Sequence, residues 1–347
     1  MKKPWFKTVL ALCGVLLLIL DSKTAIKGAV DGITLCLQVV IPSLFPFFVL
    51  INLLNSSLLA TNLSWLSPME RLLRIPQGCG SIWLCGMLGG YPTGAQLVHS
   101  AWKQGSLRKK TADRMLIFCS NAGPAFLFGI VAAQFDNRAI VWWIWGIHII
   151  SSILVAGMLK SDERFVAEQK ESTPLTFIDA LKKSILVISH VCGWIVLFRV
   201  LILFCSRWFL WLLPSEASVL IVSILELANG ATFLRQIENE GMRMLIATIG
   251  VNFGGLCVLM QTASVTSGLK LSNYLKGKML QTLFSIVLSL SVLIISTPDF
   301  GIPFLRLWLM TGVIFVVILI YLLKIRKITV AFRRKPLYNL LNDKRKG

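Results

Sequence analysis

Leu88-Gly89-Gly90-Tyr91-Pro92-Thr93-Gly94 is the stretch that decides the fold. It lies at the centre of an apolar segment, about 78–102, of membrane-spanning length. Proline removes a helical hydrogen bond and glycine is a poor helix former, so Gly89, Gly90, Pro92 and Gly94 together rule out one continuous helix. Broken backbone at membrane depth is tolerated only where it is buried in protein or lines a cavity. The segment is therefore expected to be a re-entrant helical hairpin that turns near the midplane and returns to its own side.

The surroundings require a membrane. The 347 residues are 56% hydrophobic and 15% charged, with a mean hydropathy of +0.75. Trp5–Leu20, Ala139–Leu159, Leu280–Ser296 and Phe304–Leu323 each approach the roughly 20 apolar residues that cross a bilayer. The expected fold is an all-α polytopic membrane protein, with about eight transmembrane helices and two re-entrant helical hairpins in an inverted repeat.

Spans are placed at about 5–20, 33–59, 112–133, 139–159, 184–211, 243–266, 279–297 and 304–323, with an interfacial stretch 65–76 and a second hairpin at about 216–236. The corresponding regions are 1–32 (N-terminal span and loop), 33–160 (first repeat), 161–183 (cytoplasmic linker), 184–300 (second repeat) and 301–347 (last span and basic tail). The first apolar run is followed by Asp21-Ser22-Lys23 rather than a small-residue cleavage site, so it is expected to remain as an uncleaved span. With both termini in the cytoplasm, about 27 of the 35 Lys and Arg fall inside, as the positive-inside rule requires. Converting either hairpin to a full span would reverse every later loop. On this topology Lys270, Lys276 and Lys278 belong to one cytoplasmic loop.

Several function classes drop out. The net charge of +19 occurs in clusters between apolar runs, with no basic stripe interleaved with stacking aromatics, which argues against nucleic acid. The eight cysteines form no CxxC pair and the histidines 99, 148 and 190 are far apart, so neither a zinc site nor a disulfide framework is expected. No HExxH, GxSxG or GxxxxGK[ST] motif is present, so the chain is expected to be neither an enzyme nor a pump driven by its own nucleotide hydrolysis.

The two halves repeat one order of features. Thr93-Gly94-Ala95-Gln96-Leu97, Met115-Leu116-Ile117 and Asn121-Ala122-Gly123-Pro124 in the first are echoed by Asn229-Gly230-Ala231-Thr232-Phe233-Leu234, Met244-Leu245-Ile246 and Asn252-Phe253-Gly254-Gly255 in the second. Each is a broken hairpin, a span start and a break inside that span. Hairpins opening to opposite sides make the repeats inverted, an architecture of secondary transporters that hold solute where the breaks meet.

Gly90-Tyr91-Pro92-Thr93-Gly94-Ala95, Phe118-Cys119-Ser120-Asn121-Ala122-Gly123-Pro124 with Phe126, Phe128 and Gly129, and Pro42-Ser43-Leu44-Phe45-Pro46-Phe47 carry a resemblance over nearly the whole chain. The sequence resembles the sporulation integral membrane proteins of the YlbJ/SpoVV type, which carry nucleoside-recognition Gate domains. The resemblance implies a fold similar to concentrative nucleoside transporters, and export of dipicolinic acid from the mother cell toward the forespore across the outer forespore membrane. The stretch before Gly-Pro often reads Asn-Asn-Ser in that family and is Ser120-Asn121-Ala122 here, a lost amide that bears on substrate choice.

Polar residues at or beside the breaks are the candidate substrate contacts: Thr93, Gln96, Ser120 and Asn121 in the first half, and Asn229, Thr232, Asn252 and Gln261 in the second. The alternative role for each is to cap its own broken helix. Arg199 lies in an apolar run, where a charge is costly; it either meets a carboxylate of the solute or snorkels toward an interface near Arg207. Glu226, in the second hairpin, is a site for a coupling cation or proton, a partner for Arg199, or simply exposed. His99 and His190 are candidate proton relays, and tryptophans 142, 143, 145, 208 and 211 an interfacial belt.

The function expected is a membrane transporter or permease for a small polar or anionic solute, dipicolinate if the resemblance holds. Alternatives are a nucleoside or other small-solute transporter, or a non-transporting scaffold that recruits partners through the basic tail 324–347. No organic cofactor or metal is expected, only a coupling ion, H+ or Na+. The expected partners are the solute, the lipid bilayer and, in a homo-oligomer, further copies of the chain or other membrane proteins.

Overall fold

A computed structural model of the chain describes residues 4–60, 64–159 and 175–296. Contacts divide the chain into units 1–289 and 290–347; only residues 290–296 of the second are described, and all that follows concerns the first. The span expected at 304–323 and the basic tail lie outside the described residues.

Every described element is helical. Helices α1 (Pro4–Leu20) and α2 (Ser22–Leu35) are separated by Asp21, whose carboxylate accepts from the Thr24 N–H at the start of α2. A π-helical turn, Cys36–Val40, carries α2 into α3 (Ile41–Ala60). Pro42 cannot donate to the preceding turn and its ring crowds the carbonyl there, which accounts for the widened turn without a full break. The helix thus begins at Ser22 rather than at 33; the charges of Lys23, Lys27 and Asp31 are borne on helix, not loop. The later long helix α10 (Phe177–Trp208) also starts earlier than its expected 184, and it packs along α2 and α3.

Between these long helices lies the first set of broken elements. Short α4 (Ser67–Leu73) places the buried carboxylate of Glu70 so that Oε1 accepts from the N–H groups of Gly78 and Gly80, both at 2.9 Å, anchoring the start of α5 (Gly80–Gly89). The chain turns at Gly90-Tyr91-Pro92 and returns as α6 (Thr93–Lys103), packed on α5: the helix–turn–helix foreseen at 78–102. Next, α7 (Lys109–Cys119) stops at an extended stretch, Ser120–Gly123, and helix resumes as α8 (Pro124–Phe126) with a π turn, Leu127–Val131. Helix α9 (Ile140–Met158) closes the set.

The second set has the same order. Helices α11 (Ser215–Leu225) and α12 (Leu227–Phe233) meet at Glu226 and pack together. Helix α13 (Glu240–Phe253) gives way at Gly254 to α14 (Gly255–Val265), and α15 (Leu271–Ser296) follows. Gly254 and Gly255 have φ of 81° and 82°, a left-handed conformation that glycine adopts without strain and that interrupts the helix.

Six stretches among the described residues are long and apolar enough to cross a membrane: 22–54, 109–134, 140–158, 177–208, 240–265 and 271–294. The chain is a polytopic membrane protein. Trp142, Trp143, Trp208 and Trp211 are exposed, as interfacial side chains would be.

Candidate functional site

Four backbone interruptions converge. The tip of the first hairpin lies against the break in α7–α8: a Cβ on Gly90 would sit 3.0 Å from the Gly123 nitrogen. The tip of the second hairpin lies against the break in α13–α14, where a Cβ on Gly255 would sit 3.2–3.4 Å from the carbonyls of Ser223, Ile224 and Leu225. The two sets also cross. Tyr91, at the first tip, packs on Gly254 and donates its hydroxyl proton to the Val251 carbonyl at 3.2 Å.

Where they meet is a cavity of about 50 Å³, lined by Gly89, Gly90 and Tyr91 from the first tip, Ala122, Gly123 and Phe126 from the first break, and Glu226, Leu227 and Ala228 from the second tip. Val258 and Gln261 of α14 complete it with Val40, Leu44, Val191 and Ile195 from the long helices. This volume accommodates a few waters.

Beside the cavity runs a buried polar network. Ala122 N–H donates to His148 Nε2 at 3.0 Å, so the ring proton resides on Nδ1, which donates to Asn252 Oδ1 at 2.9 Å. His148 on α9 thus joins the two breaks. Asn121 Oδ1 accepts from Gln281 Nε2 (3.1 Å) and Lys278 Nζ (3.3 Å), and Lys278 also donates to Gln281 Oε1 at 2.8 Å. The Lys278 ammonium lies 5.0 Å from the Tyr91 ring centroid and 5.8 Å from that of Tyr274. Asn121 and Asn252 also serve their own helices, donating to the Phe118 and Thr248 carbonyls.

A second network holds the other hairpin. The Glu226 carboxylate accepts from the N–H groups of Ala228 (2.9 Å) and Asn229 (2.6 Å) and from Asn229 Nδ2 (2.7 Å), capping α12. Asn229 Oδ1 accepts from Arg199 Nη1 at 3.1 Å, and Arg199 Nη2 pairs with Asp31 Oδ2 at 3.2 Å. Arg199 therefore neither snorkels nor contacts Glu226 directly: Asn229 stands between them, and its ion partner is Asp31 on α2.

Of the residues singled out from the sequence, Glu226 and Gln261 line the cavity. Asn121 and Asn252 sit in the network behind it, with Ser120 fully buried at the first break. Thr93 begins α6 beside the tip, bonding weakly to the Gly89 carbonyl at 3.5 Å. Gln96 and Thr232 lie off the cavity, and Thr232 bonds the Asn229 carbonyl within its own helix. His99 contacts the Ser267 carbonyl and does not line the cavity, and His190 is exposed.

Four contributors were not foreseen: His148, Lys278, Gln281 and Asp31. Lys278 is the sharpest correction, because it was placed in a cytoplasmic loop. It stands roughly 10 Å inside α15 and is 1% exposed. The missed signal is a polar stripe at helical spacing, Tyr274, Lys278, Gln281, Ser285 and Ser289, every member of it buried.

Among the described residues no group of three or more His, Cys, Asp or Glu is arranged to hold a metal ion. No family model matches the chain, and no solved structure matches it. The chain is similar to the sporulation integral membrane protein YlbJ of Bacillus subtilis (strain 168), at 23% identity over 312 residues that cover 76% of each chain.

Proposed function

We propose that this chain is a membrane transporter, not an enzyme, for a small polar or anionic solute held between the two hairpin tips. The observation that carries the reading is the convergence of both hairpin tips and the first helix break on one cavity, with the second break packed against both tips beside it. Interrupted helices leave N–H and C=O groups without helical partners, and such groups in a protein interior are worth their cost where they face a solute. Gln261, Glu226 and Tyr91 add side-chain polarity to a wall otherwise apolar.

The cavity holds a few waters rather than a ring-sized solute, so loading requires the tips to part. Two hairpins that enter from opposite sides, as re-entrant elements of inverted Gate-like repeats, would open it alternately to each side. Eight spans with both termini in the cytoplasm complete the proposed topology. The similarity to a sporulation protein supports a role in spore formation, with dipicolinate as the first solute to test and the outer forespore membrane as the place of action.

The test is uptake of labelled dipicolinate, with a nucleoside panel alongside, into proteoliposomes holding the purified chain. Dipicolinate uptake that Asn121→Ala or Asn252→Ala reduces about tenfold or more, the equivalent of one lost buried hydrogen bond, supports the reading. Nucleoside uptake alone would keep a transporter and replace the solute. No uptake by correctly inserted protein would shift the conclusion to a scaffold.

A further inference from the structure

We propose that the coupling ion is a proton and that Lys278 carries it; the inference rests on the transport reading above and adds to it the identity of the driving ion. Lys278 is 1% exposed, and among the described residues no carboxylate lies within ion-pair distance of its Nζ. Two amide oxygens, Asn121 Oδ1 and Gln281 Oε1, and the faces of Tyr91 and Tyr274 surround it instead. The other titratable neighbours are the Cys119 thiol of α7 and the His148 ring of α9. An ammonium compensated only by neutral groups inside a membrane protein is costly, and ionisable residues in that position mark ion and proton pathways. It does not line the cavity, so a solute carboxylate does not reach it in this conformation.

The other buried or half-buried ionisable groups are worse carriers. Glu70 accepts the Gly78 and Gly80 N–H groups and Asp113 that of Lys270, so each is committed to holding backbone. Arg199 and Arg243 hold guanidinium groups that keep their protons in proteins. Glu226 is committed to capping α12, accepting three N–H bonds there, so a change in its charge acts first on its own helix. His148 accepts the Ala122 N–H on Nε2 and cannot gain a second proton without breaking that bond. Lys278 is free of each constraint, and its contacts transmit its state. Protonated, it donates to Asn121, next to the Ala122 and Gly123 backbone of the cavity wall, and lies over the ring of Tyr91 at the tip. When one proton passes to water entering from the side to which the cavity opens, the neutral amine loses the attraction to the Tyr91 ring and the charge that strengthens its bond to Asn121. The tip and break are then held less firmly until a proton returns from water on the other side.

The test uses the purified full chain in proteoliposomes enclosing a pH-sensitive dye, with dipicolinate and the nucleoside panel as probe solutes. Solute movement should carry protons across the membrane, and an imposed pH gradient should accumulate solute. Lys278→Gln and Lys278→Arg should each lower the ratio of gradient-driven accumulation to labelled-for-unlabelled exchange by about tenfold or more, whatever they do to the exchange itself. Net solute uptake by the parent chain with no proton movement, or accumulation on a sodium gradient alone, overturns the proposal and leaves transport standing. Lys278→Gln that still concentrates solute on a pH gradient overturns the assignment to this residue. A parent chain that exchanges no solute removes the transport reading and this inference with it. The dye measurement on the parent chain needs no variant, so misfolding of either substitution does not protect the proposal.

Discussion

His148 Nδ1 lies 2.9 Å from Asn252 Oδ1, so a side chain of α9 fastens the break between α13 and α14. Its other nitrogen accepts from Ala122 at the first break, and one imidazole spans both interruptions.

Removing that imidazole should be expensive. His148→Ala leaves the Ala122 N–H and the Asn252 oxygen without their partner, at about 1–3 kcal/mol for each buried group. Thermal unfolding of detergent-solubilised protein, followed by tryptophan fluorescence, should show a clear downward shift. A melting temperature equal to the parent's would mean that the bridge contributes nothing.

Close packing of the first hairpin gives a prediction with its own control. A Cβ at Gly94, or at Gly86, would run into the Cys119 carbonyl where α7 ends, whereas one at Gly146 or Gly193 meets nothing within 4 Å. Gly94→Ala should destabilise the protein by about 1–3 kcal/mol, and Gly193→Ala should be close to neutral. Equal effects of the two substitutions would contradict the packing described.

For the Asp31–Arg199 pair the measurement is a double-mutant cycle of Asp31→Asn and Arg199→Gln. The side chains are 33% and 16% exposed, so the expected coupling is modest, about 1 kcal/mol. Additive effects of the two changes would show that the ion pair has no energetic weight.

Glu226 places a carboxyl group in the cavity wall, where its charged form would oppose an anionic solute. Glu226→Gln should raise dipicolinate affinity by about tenfold relative to an uncharged nucleoside, even as α12 loses about 1 kcal/mol of its cap. Competition binding on solubilised protein reads the ratio. An unchanged ratio would place the solute away from Glu226.

The broken elements were legible in the sequence because their causes are local. Gly89, Gly90, Pro92 and Gly94 interrupt a helix wherever they occur, and the turn falls at Gly90-Tyr91-Pro92 as they dictate. The same holds for Ser120–Gly123 and for Gly254. What joins the breaks was not legible, because it depends on contacts over long sequence separations. His148 reaches Asn252 across 104 residues and Lys278 reaches Asn121 across 157. Lys278 was also hidden by company: with Lys270 and Lys276 nearby it resembled one more loop charge. Only the alternation of exposed Lys276 with buried Tyr274 and Lys278 on a helix separates them.

The seat of Tyr91 on Gly254 has a consequence for how the molecule can move. The tip between α5 and α6 leans on the interruption between α13 and α14, so neither can shift without the other. Lifting the first hairpin withdraws a ring and a hydroxyl from the backbone of the second repeat at Val251, and disturbing the second break takes away the first hairpin's footing. In the proposed transport cycle the two hairpins would be coupled in series: a leak that opens both at once must abandon this contact from either direction, whereas an orderly cycle can exchange it for others one side at a time.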